Sequence, residues 1–348
     1  MPYTTIAQAL RETLRQQMQR DERVFVLGQD VGNFGGAYRV TEGLCAEFGP
    51  GRVRDTAISE VAIAGLAMGA ALTGMRPVAE FQFVDFMANA MDQICNHMAK
   101  FRVMSGGKLD VPVVMRAPYG ATGRAAQHSQ SLEAWFAHTP GLKVAMPATP
   151  YDARGLLRSA FKERNPVILL EHKLLYGSAS PGGKAASAVG EYAAWMTPAP
   201  EDDYEVPFGA ASVRREGRDL TVVATGLMVH RVLRLADRLE REHGCSLEVI
   251  DPRTVYPLDS ATICASVRRT HRCLVVVEET AFAGVGAEIA AQVSELAFDY
   301  LDAPVQRVAA RHSPIPFNYA CEAYTLPNEG RIEAAIREAV AGRNQPWR

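Results

Sequence analysis

The chain has 348 residues, of which 48% are hydrophobic, and this is enough for about two domains with buried cores. Its 37 lysines and arginines nearly balance 39 aspartates and glutamates, so no overall field favours nucleic acid or an anionic membrane. The longest uncharged run, residues 61–75, is shorter than the roughly 20 residues of a membrane span, and the N-terminus lacks a signal peptide's apolar block. We therefore expect a soluble, cytoplasmic protein that binds neither nucleic acid nor membrane.

Residues 1–176 alternate short β-branched runs with longer helical patterns. Strands are predicted at 24–27, 78–83, 111–116, 143–146 and 166–170. This alternation predicts a largely parallel sheet covered by helices, hence an α/β fold. The predicted helix 61–72 carries Gly65 and Gly69 four residues apart, a spacing that lets a neighbouring element approach closely.

Residues 177–207 lack the periodicity of a core element, because they contain SASPGGK, an alanine-rich piece and TPAPEDD. We interpret them as a linker or surface insert. Strands are predicted again at 220–225, 247–250, 274–277 and 305–309, with apolar helical stripes between them. A second, smaller α/β domain is therefore expected at 208–348. The six cysteines form no CxxC pair and are expected to be reduced and mostly structural.

Three segments contain candidate catalytic residues. Glu60 follows DTAIS at a predicted helix start, Gln82 and Phe86 lie in EFQFVDF at the exit of a strand, and His128 lies in a polar loop before a helix. Each alone has an ordinary structural explanation: a carboxylate at a helix N-terminus, a core aromatic ring, or a hydrogen-bonded loop histidine. Together they indicate acid–base chemistry at the carboxyl ends of parallel strands.

Other classes of site are not supported. The segment DVGNFGGAY after the first strand lacks GxGxxG and a P-loop lysine, so Gly32, Gly35 and Gly36 are predicted to form a bend. The chain also has no GxSxG elbow and no HExxH motif, which argues against a serine hydrolase or a zinc protease. In EFQFVDF the alternation predicts that Gln82 and Val84 face the same side of an extended strand.

Ordered motifs run over nearly the whole chain, among them VFVLGQDVGNFGGAYRVTEGL, RVRDTAISE, GMRPVAEFQFVDF, MDQICNHMAKFRVMSGG, QHSQSLEAWFAHTPGLKV and EVIDPRTVYPLD. In these motifs the chain resembles the β subunit of the E1 component of 2-oxo acid dehydrogenase complexes, within the transketolase-like thiamine diphosphate enzymes. The resemblance implies a parallel-sheet pyrimidine-binding domain (1–176) and, after the insert 177–207, a smaller transketolase C-terminal domain (208–348). In that family a separate α chain holds Mg2+ and the diphosphate through a GDG motif, which this sequence lacks.

The resemblance also implies roles for individual residues. Glu60 hydrogen-bonds the aminopyrimidine N1′ and so promotes loss of the thiazolium C2 proton. Phe86 stacks on the pyrimidine, while Gln82 and the Ile58 backbone line the same pocket. His128 handles protons where the lipoyl group enters. The implied partners are an E1 α subunit, in an α2β2 heterotetramer, and a lipoyl acyltransferase E2.

A structural K+ is held in the family largely by backbone carbonyls around the positions of Ala160, Glu163 and Asn165, and the resemblance extends it to this chain. The implied reaction is decarboxylation of a 2-oxo acid with acyl transfer to lipoyl-E2. MSGG, QHSQSLEAWF and PYDARGLL favour pyruvate or acetoin over branched-chain substrates, although all three stay open. The alternatives are a stand-alone transketolase-type enzyme, which the missing diphosphate domain disfavours, and a non-catalytic assembly subunit.

Overall fold

The computed structural model describes residues 2–177 and 190–341. The strands in chain order are β1 (Val24–Gly28), β2 (Val53–Asp55), β3 (Arg76–Glu80), β4 (Val114–Tyr119), β5 (Lys143–Ala145), β6 (Val167–His172), β7 (Ser212–Arg215), β8 (Leu220–Ala224), β9 (Leu247–Asp251), β10 (Thr254–Tyr256), β11 (Cys273–Thr280) and β12 (Gln306–Ala310). They form a seven-stranded and a five-stranded sheet. The fold is α/β, as the alternation of apolar patterns predicts.

The larger sheet has the order β10-β5-β6-β4-β3-β1-β2 and is parallel except at its edge, where β10 runs antiparallel to β5. The smaller sheet has the order β12-β11-β8-β9-β7, with β7 antiparallel to β9 at one edge. Every residue of the inner strands β1, β4, β6, β8 and β9 is buried, as expected where helices cover both faces of a parallel sheet.

The α-helices in chain order are α1 (Ile6–Arg20), α2 (Leu44–Phe48), α3 (Glu60–Leu72), α4 (Val84–Met87), α5 (Ala99–Met104), α6 (Glu133–Ala137), α7 (Pro150–Ala160), α8 (Leu227–His243), α9 (Ser260–Thr270), α10 (Val285–Ala297), α11 (Tyr319–Thr325) and α12 (Glu329–Val340). Side-chain caps fix several N-termini. Ser59 accepts a hydrogen bond from the Ala62 N–H at the start of α3, and Thr149 accepts one from Asp152 at the start of α7.

Several of the predicted strand boundaries are wrong. The strand predicted at 78–83 ends at Glu80, and Val84 already opens α4, so Gln82 and Val84 do not share the face of an extended strand. The strand predicted at 111–116 begins only at Val114. In the first case the apolar alternation of EFQFVDF continues across a strand-to-helix turn, where it no longer reports sheet geometry.

The predicted insert, 177–207, is only partly described, since residues 178–189 lie outside the described ranges. The described part is not a free surface excursion. Tyr192, Ala199 and Val206 are buried, and Ala199 exchanges two backbone hydrogen bonds with Tyr3. Ser159 on α7 donates its hydroxyl to the Val206 carbonyl at 2.7 Å. The sequence does not predict these contacts, because the contacting residues follow neither a helical nor a strand period.

Within residues 2–177 and 190–341, no helix is both long and apolar enough to cross a membrane. All six cysteines are free thiols, three of them buried and only Cys321 exposed. The boundaries 1–176, 177–207 and 208–348 stay predictions.

Candidate active site

Glu60 is the first residue of α3 and follows directly on the capping residue Ser59. Its side chain is half-buried, and in the described part of the chain its one hydrogen-bond partner is Asn89, whose amide lies 3.3 Å from Oε2. Asn89 belongs to the 3-10 turn that follows α4. A long contact of this kind leaves most of the carboxylate's accepting capacity free for a ligand, and the helix N-terminus favours its negative charge.

Phe86 and His128 meet although they are far apart in the sequence. Their rings lie 5.4 Å apart at 80°, and Phe83 completes a three-ring cluster, 5.5 Å from Phe86 and 5.1 Å from His128. These edge-to-face arrangements are the favoured geometry for aromatic pairs. Phe86 and Phe83 are held at the start of α4, just beyond the carboxyl end of β3. The structure therefore brings Phe86 and His128 together at the strand ends.

Gln82 and Ile58 lie in the connections on either side of this site. The Gln82 amide donates to the Gln29 carbonyl at 3.2 Å, which ties the turn after β3 to the end of β1. Ile58 precedes Glu60 by two residues, and its side chain is 76% exposed.

Two carboxylates of the C-terminal half anchor the segment that carries His128. Glu278 on β11 accepts from the Ala121 N–H at 2.7 Å, and Glu322 on α11 accepts from the Gly123 N–H at 2.8 Å. From the first half, Asp85 accepts from both the backbone and the side-chain amide of Gln130, at 3.2 and 3.1 Å. We call residues 120–130 the His128 loop. Both halves of the chain thus determine its path.

A buried lysine also contacts this loop. Lys173, only 3% exposed, follows directly after β6 and donates from Nζ to the His128 carbonyl. Its ammonium group lies 4.8 Å from the centroid of the Phe83 ring, within the range of a cation–π interaction. Burial lowers the pKa of Lys173 to about 8, against the opposing attraction of Asp85 and Glu278.

A second buried network supports the sheet behind the site. Arg116 Nη1 lies 2.6 Å from Glu80 Oε2, and Arg116 Nε lies 2.8 Å from Glu171 Oε1. Tyr176 donates its hydroxyl to the other oxygen of Glu171 at 2.8 Å. Burial raises the pKa of Glu171 to about 7, while Arg116 opposes the shift. Each of these polar side chains has a hydrogen-bond or ion-pair partner in the network, so the network is structural. It ties β3, β4 and β6 together.

The glycines after β1 form a bend, as predicted. The Gly32 N–H donates to Asp55 Oδ1 at 2.7 Å, and the Gly36 N–H donates to the Asp30 carbonyl at 2.8 Å. A phosphate cradle needs backbone N–H groups that point at the ligand. Because these two are already satisfied inside the chain, this bend cannot serve as such a cradle.

The residues predicted for K+ lie elsewhere, around the C-terminal end of α7 and before β6. The Glu163 N–H donates to the Ala160 carbonyl at 3.2 Å, and the Glu163 carboxylate pairs with Lys143 at 2.6 Å. Asn165 donates its amide to the Gly141 carbonyl at 3.3 Å, while its Oδ1 is buried without a hydrogen-bond partner among the described residues. An orphaned oxygen beside turn carbonyls fits a monovalent cation.

Some residues around the site carry no obvious sequence signal. Asn89, Asp85 and Lys173 were not among the sequence candidates, although each contacts or supports one of them. For Lys173 a weak signal exists, because it is a lysine within three residues of a predicted buried strand, at the sheet edge where ligands bind. Asn89 and Asp85 lie on helical turns in which polar residues are common, and their roles become visible only in three dimensions.

Two family models match this chain. The model described as transketolase, pyrimidine binding domain, matches residues 3–178, and the one described as transketolase, C-terminal domain, matches residues 209–332. A solved structure named split gene transketolase, inactive beta4 tetramer, superposes with a TM-score of 0.75 at 22% identity, covering 97% of this chain and 98% of that chain. At that identity the likeness shows the fold.

Sequence relatives are closer. The 2-oxoisovalerate dehydrogenase subunit beta of Bacillus subtilis (strain 168) is 45% identical, covering 95% of this chain and 96% of the relative. The pyruvate dehydrogenase E1 component subunit beta of the same organism is 43% identical over 98% of this chain and 99% of the relative. That of Rickettsia felis is 43% identical over 96% and 97%. The names of these relatives thus include two different substrates, although their identities to this chain are nearly equal.

Proposed function

Because this chain belongs to the family of E1 β subunits of 2-oxo acid dehydrogenases, we propose that it supplies the pyrimidine half of a thiamine diphosphate site. The observation that carries the proposal is that the Phe86 and His128 rings meet beyond the carboxyl end of β3, while the Glu60 carboxylate accepts from Asn89 on the turn that follows α4. The internal hydrogen bonds of Gly32 and Gly36 support a diphosphate half, with its Mg2+, that lies on a separate α subunit.

Thiamine diphosphate, when bound, would supply the carbon nucleophile and the electron sink that decarboxylation of a 2-oxo acid needs. Glu60 would hold it by sharing a proton with the aminopyrimidine N1′. A carboxylate at a helix N-terminus, with one long internal hydrogen bond, is free to form that contact. Phe86 stacks on the pyrimidine and excludes water, and Gln82 and the Ile58 backbone line the pocket.

His128 lies at the entrance, half-buried against Phe83 and Phe86. In acyl transfer the lipoyl disulfide opens, one sulfur forms a bond to the acyl carbon, and the other sulfur leaves and takes a proton. His128 donates that proton, acting as a general acid positioned at the entrance. The acceptor of the acyl group is the lipoyl domain of an E2 acyltransferase.

An exposed apolar face beside Glu60 supports a subunit partner. Val61 and Leu66 on α3 are 39% and 59% exposed, and a Cβ added at Gly65 or Gly69 would meet nothing within 4 Å. Glycines in a helix interior cost stability, and here no element within the described chain approaches them. An α subunit packed on this face would cover it and complete the site, within an α2β2 heterotetramer.

We also propose that the chain binds a structural K+ ion. The buried Asn165 Oδ1 without a partner and the carbonyls around Ala160 and Glu163 would hold the ion. These residues precede β6, whereas His128 and Lys173 lie beyond the opposite ends of the strands. A K+ bound here would stabilise the fold and take no part in the reaction.

The proposed substrate is pyruvate or acetoin, with a branched-chain 2-oxo acid as the competing choice. The motifs MSGG, QHSQSLEAWF and PYDARGLL support the first choice, and the 45% identity to a 2-oxoisovalerate dehydrogenase subunit supports the second. Discrimination by one methylene in an apolar pocket amounts to only about 1 to 3 kcal/mol, and α-subunit residues share it.

The test is reduction of an electron-accepting dye that depends on a 2-oxo acid or on acetoin, with thiamine diphosphate and Mg2+ present. This chain alone, a partner α chain alone and their mixture are compared with pyruvate, acetoin and 3-methyl-2-oxobutanoate. Activity in the mixture only, with one preferred substrate, supports the proposal. Turnover by this chain alone would indicate a stand-alone transketolase-type enzyme, and an inert mixture that still assembles would indicate a non-catalytic assembly subunit.

A further inference from the structure

Lys173 is buried beside the proposed active site, yet its ammonium group forms no salt bridge within the described residues. Only 3% of the residue is exposed, and the hydrogen bond that Nζ donates goes to the backbone carbonyl of His128. A buried amine is costly, and such groups are kept where they do something that an apolar side chain could not. The chain from β6 leads directly into Lys173, so the backbone that carries it is rigid.

Two contacts of Lys173 define where the His128 ring lies. The ammonium group holds the main chain of His128, and it also lies over the face of Phe83 at 4.8 Å. The same Phe83 packs edge-to-face with the His128 imidazole at 5.1 Å. Lys173 therefore fixes both the backbone of the histidine and the ring against which its side chain rests.

We propose that Lys173 is a positioning residue for His128, which holds the imidazole at the entrance of the cofactor pocket so that it can deliver its proton to the lipoyl sulfur. The inference rests on the proposed function of the site and adds a residue to it. Lys173 does not touch the reacting atoms. It acts through His128, and its loss changes the step that uses His128 while leaving the step that uses Glu60.

The other anchors of the His128 loop explain why one more is needed. Glu278 and Glu322 hold Ala121 and Gly123 at the start of the loop, and Asp85 holds Gln130 at its end. Between them, Ala125 has a positive φ of 66°, an unfavourable conformation for alanine. Towards the end of the loop, the His128 carbonyl accepts a hydrogen bond from Lys173 Nζ and, among the described residues, not from a backbone N–H.

The charge on Lys173 changes in the mildly alkaline range. The charged groups that face it come from every element packed around it: Asp85 on α4, Arg124 in the His128 loop, Glu278 on β11 and Glu322 on α11. The net result of burial and these charges is a pKa lowered to about 8. Below that pH the ammonium holds the loop, and above it the neutral amine is a weaker donor to the carbonyl.

The experiment uses the assembled α and β chains with Lys173→Met, Lys173→Arg and the control Lys162→Met. Lys162 is an exposed lysine of the same domain that pairs only with Glu205 in the described structure. Two rates are measured from pH 6 to 10: acylation of a lipoyl domain, and exchange of the cofactor C2 proton. We expect Lys173→Met to slow acylation by about tenfold to a hundredfold and to leave C2 exchange within twofold of wild type.

The pH profile separates positioning from simple structural support. In the wild type acylation should show an additional fall as the pH rises through about 8, and Lys173→Arg should lack this additional fall, because arginine stays charged. Equal acylation rates in Lys173→Met and wild type would overturn the inference, as would an equal loss of acylation and C2 exchange. A wild type that forms no acyl-lipoyl product would instead contradict the proposed function itself.

Discussion

At the scale of single residues, Glu60 is distinguished from other helix-start carboxylates by its surroundings. Glu329 occupies the same first position of α12, after the capping residue Asn328, but it pairs with Arg234. Glu60 has one contact of 3.3 Å to Asn89 and exposed apolar neighbours. The helix macrodipole acts on both carboxylates alike. A difference in activity between Glu60→Gln and Glu329→Gln therefore reports on the proposed site and not on the helix terminus.

Glu60→Gln should remove cofactor activation without unfolding the chain. In the assembled protein we expect exchange of the C2 proton to fall by about two to four orders of magnitude, since glutamine cannot share a proton with N1′. Proton exchange monitored by NMR after acid quench measures this directly. Glu329→Gln should exchange at the wild-type rate, and an unchanged rate in Glu60→Gln would refute the role.

His128→Ala should affect the later step only. We expect transfer of the acyl group to a lipoyl domain to fall by about two to four orders of magnitude, with C2 exchange retained. His138→Ala is the matched control, because His138 lies in the same connection between β4 and β5 but is exposed at the end of α6. Rapid-mixing measurements of lipoyl acylation give the rate, and wild-type acylation in His128→Ala would rule out this assignment.

At the scale of elements, the His128 loop depends on a glycine at its first position. Gly120 has a φ of 90°, and a Cβ there would lie 2.2 Å from His172 Nε2. That nitrogen is 2.9 Å from Glu278 Oε2, and the Leu174 N–H donates to the other ring nitrogen, so Nε2 carries the proton that binds Glu278. An alanine would displace the histidine whose partner also anchors Ala121.

Gly120→Ala should therefore lower stability more than backbone strain alone explains. Gly74 is the control, because its φ of 94° is nearly the same and a Cβ there would meet nothing within 4 Å. We expect Gly74→Ala to cost about 1 to 2 kcal/mol and Gly120→Ala at least about 3 kcal/mol. Chemical denaturation measures both values, and equal losses in the two variants would show that the contact with His172 is unimportant.

The elements also show what sequence can predict. The apolar runs at 166–170 and 247–250 correctly predict strands β6 and β9, because the sequence of a strand is continuously hydrophobic where both faces of the sheet are covered. The three-residue strands β2 and β10 have too few residues for a pattern, and β10 crosses from the C-terminal half to the edge of the first sheet. Lys173 and His128 are 45 residues apart, and no local periodicity reports such a contact.

At the scale of the whole molecule, charged groups bridge the two halves of the chain. Asp152 on α7 is fully buried, and Arg253 Nε lies 2.8 Å from its Oδ1. Arg214 on β7 contacts both Asp152 and Asp251, the latter at 2.7 Å. Removing one partner would leave a buried charge uncompensated, which is more costly than the pair itself is stabilising. The two sheets are therefore held in one relative arrangement.

His230 makes another contact between the two halves of the chain, and this contact is sensitive to acid. It lies on α8, is fully buried, and its Nε2 is 2.7 Å from the Ala148 carbonyl, so this nitrogen donates and Nδ1 has no partner in the described structure. Burial lowers the pKa of His230 from 6.5 to about 4. Between these values the unfolded chain binds a proton that the folded chain does not, so stability falls as the pH falls through this window.

The expected loss is roughly 3 kcal/mol of unfolding free energy between pH 6.5 and about 4. His230→Gln keeps a donor for the Ala148 carbonyl but has no proton to gain, so its unfolding free energy should fall less steeply over this range. Replacement of the exposed His97 by glutamine should leave the wild-type slope. Denaturant titrations at several pH values measure the slopes, and identical slopes for His230→Gln and wild type would contradict the prediction.

We propose that this chain contributes half of a thiamine diphosphate site. The most direct measurement is calorimetric titration of thiamine diphosphate, with Mg2+, into this chain, into a partner α chain, and into their mixture. We predict binding in the mixture, one cofactor per αβ pair, and no binding of comparable affinity by this chain alone. Tight stoichiometric binding by this chain alone would refute a shared site, because the diphosphate would then be held by residues of the same chain.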